Sequence, residues 1–124
     1  MGIIKDRFRA KSEIVSAEIK DLLKEHGSKK IGEVQLSQIY TGMRGITGLV
    51  TETSLLDAQD GIRFRGYSIP ELRQKLPKAP DGSEPLPEGL FYLMLVGDLP
   101  TEEDVQHVTS VWQRRSHVPN HVFA

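Results

Sequence analysis

The chain has 124 residues, of which 38% are hydrophobic and 27% charged, a composition typical of a globular domain rather than a disordered segment. Its 16 basic and 17 acidic residues leave a net charge of −1, which argues against a dedicated nucleic-acid-binding protein. The absence of cysteine excludes disulfides, thiolate metal ligands and a cysteine nucleophile. The longest strongly apolar run, residues 90–96, is far shorter than the ~20 residues of a membrane span, so no membrane association is expected.

Residues 3–26 are predicted to form one amphipathic helix that stops at Gly27. Apolar residues recur at helical spacing and charged residues fill the other face. A long helix with one apolar stripe must pack on its own domain or reach a partner subunit. The stripe comprises Phe8, Val15, Ile19 and Leu22, widened by Ile4, Ile14 and Leu23.

The next segment predicts a β-hairpin near residues 48–67. A short strand is expected at residues 30–36, followed by a brief helix capped by Ser37. Residues 48–56, rich in β-branched side chains, predict the first strand of the hairpin, and AQDG predicts its turn. The returning strand, IRFRGY, is expected to place Ile62 and Phe64 on one face and Arg63, Arg65 and Tyr67 on the other.

Three further helices and a loop are expected after the hairpin. Ser68 and Glu71 have the capping-box pattern that begins a helix, and residues 75–87 form a proline-rich surface loop. Residues 88–96 are apolar on nearly every face, which predicts a buried helix ended by Gly97. TEED at residues 101–104 predicts the start of a last helix lined by valines and Trp112. The segment after it, residues 116–124, is apolar and uncapped, which we interpret as a cut in a longer chain.

The four histidines do not predict a catalytic or metal site. His117 and His121 have the i,i+4 spacing of two zinc ligands on a helix, but Pro119 interrupts such a helix and no third ligand is evident. His26 at a helix end and His107 on a polar helix face are most simply explained by the helix dipole or by solvent exposure.

Two stretches could bind an anion. In TGMRGITG, closely spaced glycines could direct backbone amides at a phosphate, with Arg44 adding a charged fork; a plain turn between helix and strand is the alternative. RFRGY partly matches the basic-aromatic pattern of an RNA-binding strand. Strand alternation would place Phe64 and Tyr67 on opposite faces, which favours a half-buried hairpin whose arginines pair with nearby acids.

The ordered blocks MRGITGLVTETSLLDAQDGIRFRGYSIPEL and PLPEGLFYLMLVGDLPTEEDV closely resemble the N-terminal part of citrate synthases of the mitochondrial type, which also occur in some bacteria. The similarity extends over almost the whole chain and is weakest over residues 1–30. Several unrelated blocks agree in order and spacing, so the resemblance is specific.

This resemblance implies a mainly α-helical fold, with residues 1–124 as the N-terminal portion of the large domain and the rest of that domain and the small domain absent. It implies a homodimer that condenses acetyl-CoA with oxaloacetate and water to give citrate and CoA. No cofactor is expected, because acetyl-CoA is a substrate, and no metal, nucleic acid or membrane partner is implied.

The resemblance places the family's catalytic aspartate and two histidines downstream of this chain, so no catalytic residue is assigned here. Arg44 matches a position associated with the CoA phosphates, and the arginines of RFRGY match positions expected to be structural. The isolated 124-residue chain is therefore expected to be inactive and poorly stable.

Three alternatives stay open. A 2-methylcitrate synthase, which uses propionyl-CoA, is not distinguished by these residues. A non-catalytic helical interaction module would fold alone and dimerise through its first helix, and a nucleic-acid module would need Arg63 and Arg65.

The chain begins about where the mature mitochondrial-type enzyme begins and shows no presequence, which favours a bacterial cytoplasm over a mitochondrial matrix.

Overall fold

The computed structural model describes residues 2–122 and divides them into two compact units. Residues 10–51 form the smaller unit, and residues 2–9 together with 52–122 form the larger unit. The predicted mainly α-helical class with a small β-hairpin is confirmed. Among residues 2–122, no helix combines the length and apolarity needed to cross a membrane. The elements are α1 (Gly2–His26), α2 (Leu36–Tyr40), β1 (Ser54–Asp57), β2 (Gly61–Phe64), β3 (Tyr67–Ser68), α3 (Ile69–Lys75), α4 (Pro87–Val96), α5 (Glu102–Arg114) and a 3-10 turn (Asn120–Val122).

The predicted first helix is confirmed as α1, but its apolar stripe is only partly covered. Ile4, near its start, packs against a buried cluster of the larger unit. Further along, the apolar side chains are exposed, with Leu22 at 57% and Leu23 at 61%. The stripe therefore begins as a packing surface and continues as an open one.

The strand predicted at residues 30–36 is wrong. Residues 29–35 have no regular structure, and α2 begins at Leu36. A strand is stable only when a neighbour accepts and donates its backbone hydrogen bonds, and the sheet offers none here because it consists of β1, β2 and β3 in that order. The predicted cap is also wrong, since Gln35 rather than Ser37 occupies the N-cap of α2, where its amide donates to the Gln38 side chain at 2.8 Å.

The hairpin is confirmed, with shorter strands than expected. β1 begins at Ser54, so residues 48–53 lie outside the sheet. β2 ends at Phe64, because Arg65 (φ 48°) and Gly66 (φ 86°) adopt left-handed conformations and turn the chain into β3. Both central residues of this two-residue hairpin loop have positive φ, as the right-handed twist of its strands favours.

Because of that turn, the prediction of which RFRGY side chains share a face of the sheet is wrong. Tyr67 does not continue the strand of Phe64 but pairs with it directly across β2 and β3. Directly paired residues share a face of the sheet, so the two aromatic side chains lie together and not on opposite faces. Both are half-buried against the cluster of Leu72, Leu76 and Leu93, which leaves no open aromatic platform.

Helix α4 lies at the centre of the larger unit and joins two apolar clusters. Leu93 belongs to the first cluster, while Tyr92 and Val96 form the second with Val108 of α5. Gly89 is buried, and a side chain there would meet Val105 of α5 at 3.5 Å.

Helix α4 ends where the sequence predicts and begins one residue earlier, at Pro87, but the predicted burial on nearly every face is wrong. Gly97, in the left-handed conformation (φ 93°), ends the helix as predicted. Helix α4 is not buried all round, because Phe91 is 41% exposed and Leu95 36% exposed. One apolar face of the helix is therefore uncovered in the part of the chain described.

The predicted helix starts at Ser68 and Thr101 are confirmed. Ser68 accepts from the Glu71 amide while the Glu71 carboxylate accepts from the Ser68 amide at 2.7 Å. Thr101 and Asp104 form the same reciprocal pair at the start of α5. The proline-rich loop between α3 and α4 carries one isolated antiparallel bridge, between Lys78 and Pro85.

Candidate functional site

The TGMRGITG segment forms a compact turn directly after α2. Gly42 (φ 78°), Met43 (φ 59°) and Gly45 (φ 74°) all adopt left-handed conformations, which a β-carbon disfavours at Met43. The Met43 amide donates to the Gln38 carbonyl at 2.7 Å, and the Gln38 side chain donates to the Arg44 carbonyl at 3.3 Å. The end of α2 therefore holds the turn in place.

Arg44 projects from this turn with its side chain exposed. Among residues 2–122, its guanidinium has no hydrogen-bond or ion-pair partner, and the amides of Arg44 and Gly45 donate to no acceptor. A free guanidinium beside free backbone amides can bind a phosphate through several charge-assisted hydrogen bonds. The predicted anion loop thus offers several donors without a partner among residues 2–122, and its role stays a prediction.

The arginines of RFRGY are engaged within the protein. Arg65 donates from Nε and Nη2 to the Met94 carbonyl, at 3.2 and 2.8 Å, and so satisfies a backbone acceptor in the last turn of α4. Arg63 donates to the Gly66 carbonyl at 3.2 Å and lies 3.7 Å from the Asp60 carboxylate. Arginines committed in this way are poorly placed to bind a nucleic-acid backbone.

The histidines are dispersed. His117 lies in an irregular segment and His121 in the terminal 3-10 turn, so the two do not share a helix. His26 ends α1, 3.9 Å from the Glu25 carboxylate. Within the described range 2–122, no three His, Asp or Glu side chains are gathered in a way that could hold a metal ion.

His107 differs from its prediction as a solvent-facing residue. It is half-buried, and its Nε2 is shielded from solvent without a hydrogen-bond partner among residues 2–122. Helical spacing placed His107 on the polar face of α5, but that prediction took no account of the elements packed against this helix.

An ion pair with one buried partner, Asp104, was missed by sequence reasoning. Asp104, only 4% exposed, accepts from Arg7 Nη1 at 2.8 to 2.9 Å and from the Thr101 amide and hydroxyl. Arg7 also donates to the Tyr92 hydroxyl and lies over the Tyr92 ring. Arg7 and Asp104 are 97 residues apart, so no local pattern could have paired them.

The sequence model of the family described as citrate synthase, C-terminal domain, matches residues 42–124, which include the Arg44 turn and the RFRGY hairpin. The chain belongs to the citrate synthase family. The recognition from ordered sequence blocks is therefore confirmed.

Individual citrate synthase relatives are about half identical to the chain. Mitochondrial citrate synthase from Xiphias gladius is 54% identical over 104 residues, covering 84% of this chain and 22% of the relative. The Aspergillus niger mitochondrial citrate synthase is 51% identical over 119 residues, covering 96% of this chain and 25% of the relative. A mitochondrial 2-methylcitrate synthase from Yarrowia lipolytica is also 51% identical over 119 residues, 96% of this chain and 26% of the relative.

These relatives are much longer than this chain, and their names overturn the predicted location of the protein. The chain spans about a quarter of the length of the curated relatives it matches. The predicted bacterial cytoplasmic location is wrong, because these relatives are named as mitochondrial proteins. An apparent lack of presequence at residue 1 was not a sound basis for that prediction.

Proposed function

We propose that these residues belong to a citrate synthase that condenses acetyl-CoA with oxaloacetate and water to give citrate and CoA. The observation that carries this proposal is the identity of 51–54% to relatives named citrate synthase. The protein would act in mitochondria as a homodimer, with no cofactor besides its substrates. Residues 1–124 would form the N-terminal portion of its large domain.

In this proposal Arg44 binds a phosphate of CoA. Its exposed guanidinium has no partner among residues 2–122, and two neighbouring amides are free to donate. The chemistry of condensation would fall to an aspartate and two histidines outside this chain. Purified 1–124 should therefore form no citrate from acetyl-CoA and oxaloacetate, and citrate formation would contradict this assignment.

A specific observation also favours a second candidate, 2-methylcitrate synthase. The Yarrowia lipolytica relative with that name is as similar to the chain as the Aspergillus niger citrate synthase, at 51% identity over 119 residues. Both reactions use a CoA thioester, so the proposed role of Arg44 is the same in each.

The proposed activity is tested in the full-length protein that contains these residues, because residues 1–124 do not by themselves distinguish the two enzymes. Release of free CoA is measured with oxaloacetate and either acetyl-CoA or propionyl-CoA. Faster turnover of acetyl-CoA would support citrate synthase, and faster turnover of propionyl-CoA would support the second candidate. A folded full-length protein that uses neither thioester would contradict both.

Arg44 is tested in the same full-length protein. Arg44→Ala should raise the KM for acetyl-CoA roughly tenfold with little change in kcat, because it removes a charge-assisted bond to a group remote from the reacting atoms. The KM for acetyl-pantetheine, which lacks the phosphates, should not change. Arg9→Ala, which removes another exposed arginine, is the matched control. An equal loss with both thioesters would contradict the phosphate contact.

A further inference from the structure

The Arg44 turn is a closed β-turn that lies entirely within the smaller unit. The Ile46 amide donates to the Met43 carbonyl at 3.3 Å, so Arg44 and Gly45 are the two central residues of the turn. Gly45 has a φ of 74°, the positive value that a type II turn requires at its second central residue. The peptide between Arg44 and Gly45 therefore has the orientation opposite to that of a type I turn.

The Gln38 side chain secures that orientation. Its Nε2 donates to the Arg44 carbonyl at 3.3 Å, and its Oε1 accepts from the Gln35 amide at 2.8 Å. A carboxamide has one donating end and one accepting end, so it satisfies both backbone groups at once. A carboxylate would lack the donor, and an apolar side chain of the same length would lack both. Gln38 thus joins the start of α2 to the centre of the turn.

The bond to the Arg44 carbonyl also determines where the next amide points. In a trans peptide, the carbonyl and the N–H of the following residue face opposite directions. Because the Arg44 carbonyl faces the Gln38 side chain, the Gly45 amide faces away from it, and this amide donates to no acceptor in the described part of the chain. Reversal of the peptide would turn the Gly45 amide towards Gln38 and would present a carbonyl oxygen, which repels a phosphate, on the open side.

We propose that Gln38 is a positioning residue for the phosphate of the CoA thioester, and that it acts by holding the Gly45 amide outward beside the Arg44 guanidinium. This inference rests on the phosphate contact proposed for Arg44 and adds a residue that acts through the turn. A backbone amide and a guanidinium that donate to one phosphate bind it more tightly than either donor alone. The Gln38 carbonyl supports the same turn by accepting from the Met43 amide at 2.7 Å.

Gln38→Met tests the proposal in the full-length protein that contains these residues. Methionine has a similar length but offers neither end of the carboxamide. The KM for acetyl-CoA should rise roughly fivefold with little change in kcat, because one donor to a group remote from the reacting atoms is misplaced. The KM for acetyl-pantetheine, which lacks the phosphates, should not change, and its turnover shows that the variant is folded. Thr41→Val, which removes a hydroxyl bond to the Ser37 carbonyl and keeps both side-chain bonds of Gln38, is the matched control.

A second variant releases the same peptide without altering Gln38. Gly45→Ala places a β-carbon 3.6 Å from Gln38 Nε2, an ordinary contact, so its effect arises from the positive φ that alanine disfavours. It should also raise the KM for acetyl-CoA and leave the KM for acetyl-pantetheine unchanged. The double variant should raise the KM little further than either single variant, because both release one peptide. Single effects that multiply would show that the two residues act separately and would contradict the proposal.

The outcomes separate this inference from the phosphate contact itself. If Arg44→Ala raises the KM for acetyl-CoA and Gln38→Met does not, Arg44 binds the phosphate without help from Gln38, and the inference is overturned. An equal rise of the KM for both thioesters in Gln38→Met would overturn it as well, because a general disturbance of the smaller unit would explain the change. If Arg44→Ala leaves the KM unchanged, the proposed phosphate contact fails and this inference fails with it.

Discussion

Arg7 ties the start of α1 to two other helices, although half of its side chain is in contact with solvent. Its guanidinium donates to the Asp104 carboxylate of α5 and to the Tyr92 hydroxyl of α4. Asp104 is buried and Tyr92 is 1% exposed, so both acceptors depend on protein donors rather than on water. Burial acts to raise the pKa of Asp104, but hydrogen bonds from Thr101 and Arg7 outweigh it and leave that pKa lowered.

Arg7→Ala should destabilise the larger unit by roughly 1–3 kcal/mol, because it leaves a buried carboxylate with fewer donors. Urea unfolding followed by tryptophan fluorescence measures this through Trp112 of α5, the single tryptophan of the chain. Arg9→Ala, on the exposed side of the same helix, should change stability by less than about 0.5 kcal/mol. Equal midpoints for the two variants would show that Arg7 makes no net contribution.

At the scale of elements, the two capping boxes make a matched pair. Ser68 begins α3 and Thr101 begins α5, each with an acid three residues on. Ser68 is half-buried and its partner Glu71 is exposed, whereas Asp104 is buried and also accepts from Arg7. A lost donor is replaced by water at the first site but not at the second.

Ser68→Ala should therefore cost about 1 kcal/mol, the usual value for a lost N-cap. Thr101→Ala should cost more, roughly 2 kcal/mol, because it also removes a donor to a buried carboxylate. Chemical denaturation of both variants compares them directly. Thr101→Ser keeps the hydroxyl and should recover most of the loss. A larger loss for Ser68→Ala would mean that burial of Asp104 does not govern these caps.

Local patterns predicted the elements that local chemistry determines. The helix starts at Ser68 and Thr101 and the stop at Gly97 follow from capping bonds within one turn, and all were recognised. The strand at residues 30–36 failed because pairing depends on a partner distant in sequence. The turn at Arg65 was missed because a non-glycine residue with positive φ has no clear sequence signal.

The candidate site was also predicted only in part. The glycines around Arg44 indicated a turn, and the turn is present. The sequence does not show whether the guanidinium of Arg44 has a partner. Arg63 and Arg65 also lie close to a glycine, and both donate hydrogen bonds within the protein. The pairing of Arg7 with Asp104 depends on how α1 packs on α5, which periodicity alone does not give.

At the scale of the whole molecule, four carboxylates of the larger unit have lowered pKa values. Backbone amides of Asp60 and Gln59 lower the pKa of Asp57, at the hairpin turn. The Ser68 hydroxyl and amide lower the pKa of Glu71. A hydrogen bond from Arg73 lowers the pKa of Glu84. Together with Asp104, these groups bind protons less readily in the folded chain than in the unfolded one.

The sign of the pH dependence follows from that direction. A carboxylate with a lowered folded pKa contributes stability above its unfolded pKa, near 3.8 for Asp and 4.5 for Glu, and the contribution is lost as the pH falls through the folded value. The free energy of unfolding should therefore decrease from about pH 5 to about pH 3 at constant ionic strength. Urea midpoints across this range measure the slope. Asp104→Asn should lower stability at pH 5 and flatten the slope, because it removes one of the groups that must be protonated. A slope unchanged in this variant, or stability that rises towards pH 3, would show that these carboxylates are not stabilised by the contacts described.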